Sequence, residues 1–219
     1  MTRLAIFDCD GTLVDSGATI HRALHTTFGV HGFPCPPPSV TRKVIGLSLD
    51  QAMAALVPDA DHAALSATYK DAFIAMRGAG EVDEPLFEGI VELLDTLGRD
   101  GWLLGVATGK SDRGLRHCLA AHGIAGRFVT LQTADRNPSK PHPAMALAAM
   151  AEAGAEPKAT VFVGDTGWDM GCARAAGCGA IGVGWGYHDH HEMMAMGAHD
   201  VAATPAEVAV LASKWIGTA

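Results

Sequence analysis

The sequence contains no CxxC pair and no regular cysteine spacing; its five cysteines stand at positions 9, 35, 118, 172 and 178. Four of them lie among apolar or small residues and read as reduced core thiols, so a cytoplasmic protein is expected. No apolar run reaches the roughly 18 residues of a membrane span, and the first residues pass directly into a strand pattern with none of the layout of a signal peptide. Basic charge is scarce. Lys and Arg number 16 against 24 Asp and Glu, giving a net charge of −8 and a pI near 5.7, which argues against nucleic acid or an anionic membrane as the main partner. Internal repeats and low-complexity tracts are also missing. What remains is 219 residues, 48% of them apolar and 18% charged: a globular chain long enough to bury a real core, as one large domain or a domain with an insert.

The most informative stretch is the first. Leu4-Ala5-Ile6-Phe7 is an apolar run of strand length that ends in Asp8-Cys9-Asp10-Gly11-Thr12. Such a run reads as a buried parallel strand. Alternation along an extended chain puts Asp8 and Asp10 on one side and Cys9 on the other. Two carboxylates so close repel unless a cation lies between them.

Helical spacing follows in Ile20, Ala23, Leu24, Thr27 and Phe28, then a breaker stretch from Gly32 to Pro38 with four prolines. Further helical runs cover Ser39 to Gly46, Leu49 to Leu56 and Ala63 to Met76, so residues 17–81 read as helical with no strand. From Gly89 onward helices and strands alternate. Strands are expected at 102–107, 128–131, 160–163 and 180–183, with a His-rich loop and a last helix from Pro205 to Trp215 in the tail. Strands separated by helices of ten residues or more imply a doubly wound parallel sheet, an α/β fold with Rossmann-like topology. The economical division is a core domain of residues 1–16 and 82–219, interrupted after its first strand by a helical cap domain of residues 17–81.

In open α/β sheets ligands sit beyond the carboxyl ends of the strands. There the sequence places Asp8 and Asp10, Thr108 and Asp165, with Lys140 on a loop after the third strand. Hard oxygen donors (Asp8, Asp165 and the Asp10 carbonyl) without a Cys or His cluster select Mg²⁺ over zinc. A phosphate suits Thr108 with the amides after it, Gly109 included, and Lys140 as a point charge. Asp8 then becomes a candidate carboxylate nucleophile and Asp10 a candidate general acid and base. That acid role needs a raised pKa, which a neighbouring carboxylate and a partly dry site under the cap would supply.

Taken in order, Asp8-x-Asp10-Gly11-Thr12, then Thr108-Gly109-Lys110-Ser111, then Lys140-Pro141, then Gly164-Asp165-x-x-x-Asp169, the chain resembles the haloacid dehalogenase superfamily, in its subfamily with a helical cap. The resemblance implies a Rossmann-like core with a mobile cap, and Mg²⁺-dependent phosphomonoester hydrolysis through an aspartyl-phosphate. It implies Asp8 as nucleophile and metal ligand and Asp10 as acid/base and carbonyl ligand. It also implies Thr108 and Lys140 as phosphate ligands, Asp165 as metal ligand, and Asp169 as support for the metal shell. The runs around Phe7-Asp8, Leu13-Val14-Asp15-Ser16 and Ser139-Lys140-Pro141-His142-Pro143 are most similar to phosphoglycolate phosphatases. The chain departs from many of these in having Gly109 where they carry Asn, and in its large Trp168 just before Asp169.

The expected partner is a small phosphorylated anion such as 2-phosphoglycolate, met by a monomer or homodimer. Arg42, or failing that Lys43, is the cation expected to reach down from the cap and hold its carboxylate. A sugar-phosphate mutase, or a phosphatase for pyrophosphate, a nucleotide or a sugar phosphate, is the alternative enzyme, although the mutase pattern of Thr-x-x-x-His followed by Ala-Trp is poorly matched at Ile20, His21 and Leu24. A non-catalytic phosphate-binding module is the third reading. The bland assignments are turn capping for Asp15 and Ser16, ordinary histidines at 21 and 25, a solvated loop for His188 to His191, and packing for Met193, Met194 and Met196.

Overall fold

The computed structural model describes residues 1–218. Six strands form one sheet in the order β3-β2-β1-β4-β5-β6. They are β1 Arg3–Phe7, β2 Trp102–Thr108, β3 Phe128–Thr133, β4 Thr160–Gly164, β5 Gly179–Val183 and β6 Asp200–Ala202. Every pairing is parallel. The helices are α1 Gly17–Val30, α2 Pro38–Thr41, α3 Leu49–Leu56, α4 His62–Gly78, α5 Ile90–Arg99, α6 Asp112–Ala121, α7 Ala144–Ala153, α8 Gly167–Ala176, α9 His190–Ala195 and α10 Pro205–Thr218.

Period-two alternation on β1 divides the core in two. Ala5 and Phe7 pack with Leu93, Leu97, Leu115 and Val208 on the face covered by α5, α6 and α10. Leu4 and Ile6 pack with Met145, Met150, Phe162 and Met170 on the face covered by α7 and α8. Because β1 is buried on both faces from Leu4 onward, it carries no polar residue between Arg3 and its end. A third, smaller cluster (Leu24, Phe28, Met53 and Leu65) holds α1, α3 and α4 to one another.

Register fixes the strand ends. Phe7 pairs with Val106 on one side and Val163 on the other, so Asp8, Thr108 and Asp165 emerge from three neighbouring strands at one level. Strand order reverses at β1, whose neighbours β2 and β4 leave a crevice at their carboxyl ends.

Three elements differ from the sequence reading. β6 was not foreseen, since three residues offer no period to read. The expected helix over 39–46 breaks after Thr41 into a 3-10 turn at Arg42–Val44 and an extended Ile45. The His-rich segment contains α9, started by a capping box in which Asp189 and Glu192 satisfy each other's backbone amides.

Candidate active site

Asp8, Asp165, Asp169 and Lys140 lie wholly buried beneath the crevice. One carboxylate oxygen from each of Asp8, Asp165 and Asp169 lies within 4.8 Å of the other two. Lys140 Nζ lies 3.0 Å from Asp8 Oδ2 and 2.6 Å from Asp169 Oδ1. Asp169 is fixed in turn by Thr166, whose backbone amide and hydroxyl both donate to its Oδ2, at 3.0 and 2.6 Å. Asp165 accepts from the Thr12 hydroxyl and the Tyr187 amide, each at 2.9 Å. Gly11 makes that approach possible. It turns the chain at φ +83°, and a Cβ there would stand 2.2 Å from Asp165 Oδ2.

Burial pushes the Asp8 carboxyl up to about 7, with the charges of Asp169 and Asp10 adding to the rise and Lys140 opposing it. Asp165 is raised well above the usual carboxylate range by burial and then by Asp169 and Asp8. Burial alone would lower the Lys140 ammonium, but Asp169 and Asp8 beside it win and hold it above its ordinary value. Three buried carboxylates share one lysine, whose ammonium lies 3.0 Å from Asp8 Oδ2. Negative charge is left over, and an all-oxygen donor set with spare negative charge fits a hard divalent ion. Mg²⁺ fits these residues.

Asp10 stands apart from this group. Its Oδ1 accepts from the Ser16 hydroxyl and lies 2.8 Å from Lys110 Nζ. Lys110 also pairs with Glu84 Oε1 at 2.7 Å. Burial would weaken this ammonium, yet Asp10 and Glu84 keep it well above its ordinary pKa. The sequence reading surrounded Asp10 with a carboxylate and dry protein; the structure adds a lysine and a serine hydroxyl. Ser16, read as a turn cap, is therefore a direct neighbour of Asp10. Thr108 is buried, and its hydroxyl accepts from the Lys110 amide at 3.3 Å.

Arg42 and Lys43 are engaged with other side chains. The Arg42 guanidinium lies over the Tyr187 ring, 5.9 Å from its centroid, and Lys43 pairs with Glu192. They belong to a seam between segment 42–48 and the sheet's loops. Trp168 Nε1 donates to the Lys43 carbonyl at 3.2 Å, and the Ser48 amide donates to Ser139 Oγ at 2.8 Å. At Gly109 the fit is so close that a Cβ would stand 2.2 Å from the Leu47 carbonyl oxygen. Trp168 is thus a seam residue.

His188 is not solvated: Gly167 N donates to its Nδ1 at 3.2 Å, and its ring lies edge-on to Trp168, whereas His190 and His191 are exposed. His21 bonds the Thr41 hydroxyl. Of the three methionines, Met193 is fully buried while Met194 and Met196 are largely exposed. Lys110, Glu84 and Tyr187 were missed as site residues. Only Lys110 had a signal, its place directly after Thr108-Gly109.

A model of the haloacid dehalogenase-like hydrolase family matches residues 5–183. The chain is 35% identical over 213 residues to a Dickeya dadantii protein named "Probable phosphatase IndB", covering 95% of this chain and 92% of that one. It is 31% identical over 193 residues to a phosphoglycolate phosphatase of Xylella fastidiosa, covering 87% and 83%. Among solved structures, a haloacid dehalogenase-like family protein from Streptococcus pneumoniae superposes with a TM-score of 0.84 at 26% identity, over 96% of this chain and 98% of that one. Its matched sheet, its acidic strand ends and these relatives together place the chain in the haloacid dehalogenase-like hydrolase family.

Proposed function

We propose that the protein is a Mg²⁺-dependent phosphomonoester hydrolase that works through an aspartyl-phosphate on Asp8. The observation that carries this reading is the buried group of Asp8, Asp165 and Asp169 with a single lysine, Lys140, against Asp8 and Asp169. Asp8 and Asp165 would hold the metal together with the Asp10 carbonyl, and Asp169 would support them. The ion would supply Lewis-acid neutralisation of phosphoryl charge.

The remaining chemistry falls to the chain. Lys140, Thr108 and the Gly109 amide after it hold the phosphoryl oxygens. An Asp8 oxygen forms the bond to phosphorus as the bond to the alcohol oxygen breaks, and Asp10 gives that oxygen its proton. Asp10, now a carboxylate, takes a proton from water, which attacks phosphorus and releases Asp8 and inorganic phosphate. Asp169 and Thr166 act on Lys140 by holding it in place.

Residues 17–81 form the cap in this reading, and residues 1–16 with 82–219 the core. Seam contacts at 42–48 shut the cap over Asp8, so substrate enters when they part. Arg42 and Lys43 are assigned to that seam rather than to substrate. 2-Phosphoglycolate is the first metabolite to assay, since relatives bear its name.

The test is Asp8→Asn, which keeps the shape of the side chain and removes the nucleophile. Turnover of nitrophenyl phosphate should vanish and hydroxylamine-labile phosphoryl label on the protein should vanish with it, while the circular dichroism spectrum stays unchanged. A variant that retained more than a few per cent of activity, with deamidation excluded by mass spectrometry, would refute the assignment.

A further inference from the structure

A cavity of about 320 Å³ lies between α1, α4 and the 108–111 turn, with Asp10, Gly109 and Lys110 at one end. That volume is at the lower edge of the roughly 300–1,000 Å³ typical of sites for drug-sized ligands. It is far more room than a two-carbon hydroxy acid fills. Its walls are Ile20, Leu24, Ile45, Leu49, Tyr69 and Phe73. Tyr69 and Phe73 stand one turn apart on α4 with ring centroids 5.8 Å apart.

Four cations, Lys70, Arg77, Lys110 and Arg113, line this space as well, each already engaged or solvent-exposed. Lys110, at the phosphoryl end, is held by Asp10 and Glu84. The Arg77 guanidinium lies over the Phe73 ring, and Lys70 and Arg113 are exposed. A carboxylate one carbon from the phosphate ester would therefore sit against aliphatic and aromatic carbon, with its charge unanswered.

Given the phosphomonoesterase reading on which this rests, we infer that the cavity selects the alcohol half of the substrate. That alcohol is a carbon-rich one, uncharged next to the ester, several carbons longer than glycolate. The Tyr69 hydroxyl makes no hydrogen bond among the described residues, and it feels the charges of Lys110, Asp10 and Glu84 at the phosphoryl end of the cavity. Tyr69 and Phe73 are the specificity-determining residues.

Straight-chain monoalkyl phosphates test this directly, because their alcohols leave with nearly equal intrinsic ease and differ only in buried carbon. With the full chain and Mg²⁺, kcat/KM should rise about fourfold per methylene from ethyl toward hexyl phosphate until the space is filled. Hexyl phosphate should also be preferred to 2-phosphoglycolate. Phe73→Ala should cut the hexyl-to-ethyl ratio about tenfold. Leu49→Ala, on a different element, gives the same readout should the first variant fail to fold. A series that is flat or falls with chain length, a preference for 2-phosphoglycolate, or a ratio untouched by both substitutions would overturn the inference while leaving the hydrolase standing. Absence of turnover on every ester, nitrophenyl phosphate included, would refute the hydrolase reading and the inference with it.

Discussion

Lys110 is the residue whose removal the structure makes most consequential outside the metal group. It sits 2.8 Å from Asp10 and 2.7 Å from Glu84, and the three side chains are only 10%, 9% and 6% exposed. Lys110→Met keeps the length and apolar stem of the side chain but leaves two buried carboxylates facing each other. Removing one partner of a buried ion pair costs about 3–5 kcal/mol, most of it from the charge left behind. For a chain of this size that is a fall in melting temperature of about 6–20 °C. The cause can be isolated. Glu84→Gln in the Lys110→Met background removes one of the stranded charges and should recover a substantial part of the loss, whereas Glu84→Gln alone should cost less than Lys110→Met. Urea unfolding of the four proteins gives the coupling energy directly. If Lys110→Met melts within about 1 kcal/mol of the parent, or if the second substitution adds to the loss instead of relieving it, the buried triad is not what holds this corner of the site.

With Asp8 pushed up to about 7, metal binding displaces a proton below that pH. Mg²⁺ affinity measured by calorimetry should fall by about a factor approaching ten per unit from pH 7 downward, and EDTA should abolish turnover at any pH. The same group acts on stability in the metal-free protein. Its folded pKa lies above the unfolded value, so its contribution is fully present below about pH 4 and is lost as pH rises through 7. Asp10→Asn should lose most activity on alkyl phosphates and least on nitrophenyl phosphate, whose leaving group needs little protonation; equal losses would remove Asp10 from the acid role. Gly109→Ala drives a methyl into the Leu47 carbonyl and should weaken seam closure by about 1–3 kcal/mol, seen as faster amide exchange in residues 42–48 with little change in the sheet.

Much of this was legible before any coordinates. A four-residue apolar strand that stops dead at an aspartate, and two later strands that do the same at Thr108 and Asp165, define one level in a parallel sheet whatever the loops do. The residues the sequence left unassigned are those whose role depends on distance across the fold. Glu84 lies 74 positions from Asp10, in no motif, and only the return of the chain at Pro85 brings it to Lys110. Arg42 was misplaced for a local reason. The sequence suggests a helix running to Gly46, but the chain leaves α2 after Thr41 through a 3-10 turn, and Arg42 lies over Tyr187. The width of the cavity depends on how α1 and α4 lean together, and that information is spread over Leu24, Phe28, Met53 and Leu65 rather than held in any spacing.

The contact between Gly109 and the Leu47 carbonyl bears on how such a protein can change over time. Many phosphoglycolate phosphatases carry an asparagine at the position of Gly109, and here even a single methyl would stand 2.2 Å from that oxygen. The core turn and the cap's descending segment have therefore been fitted to one another in this chain, as a matched pair. Transplanting the cap of an asparagine-bearing relative onto this core should leave a gap at residue 109, and the reverse transplant should jam. In the cap-and-core reading, a chimera then needs residue 109 and segment 46–48 exchanged together.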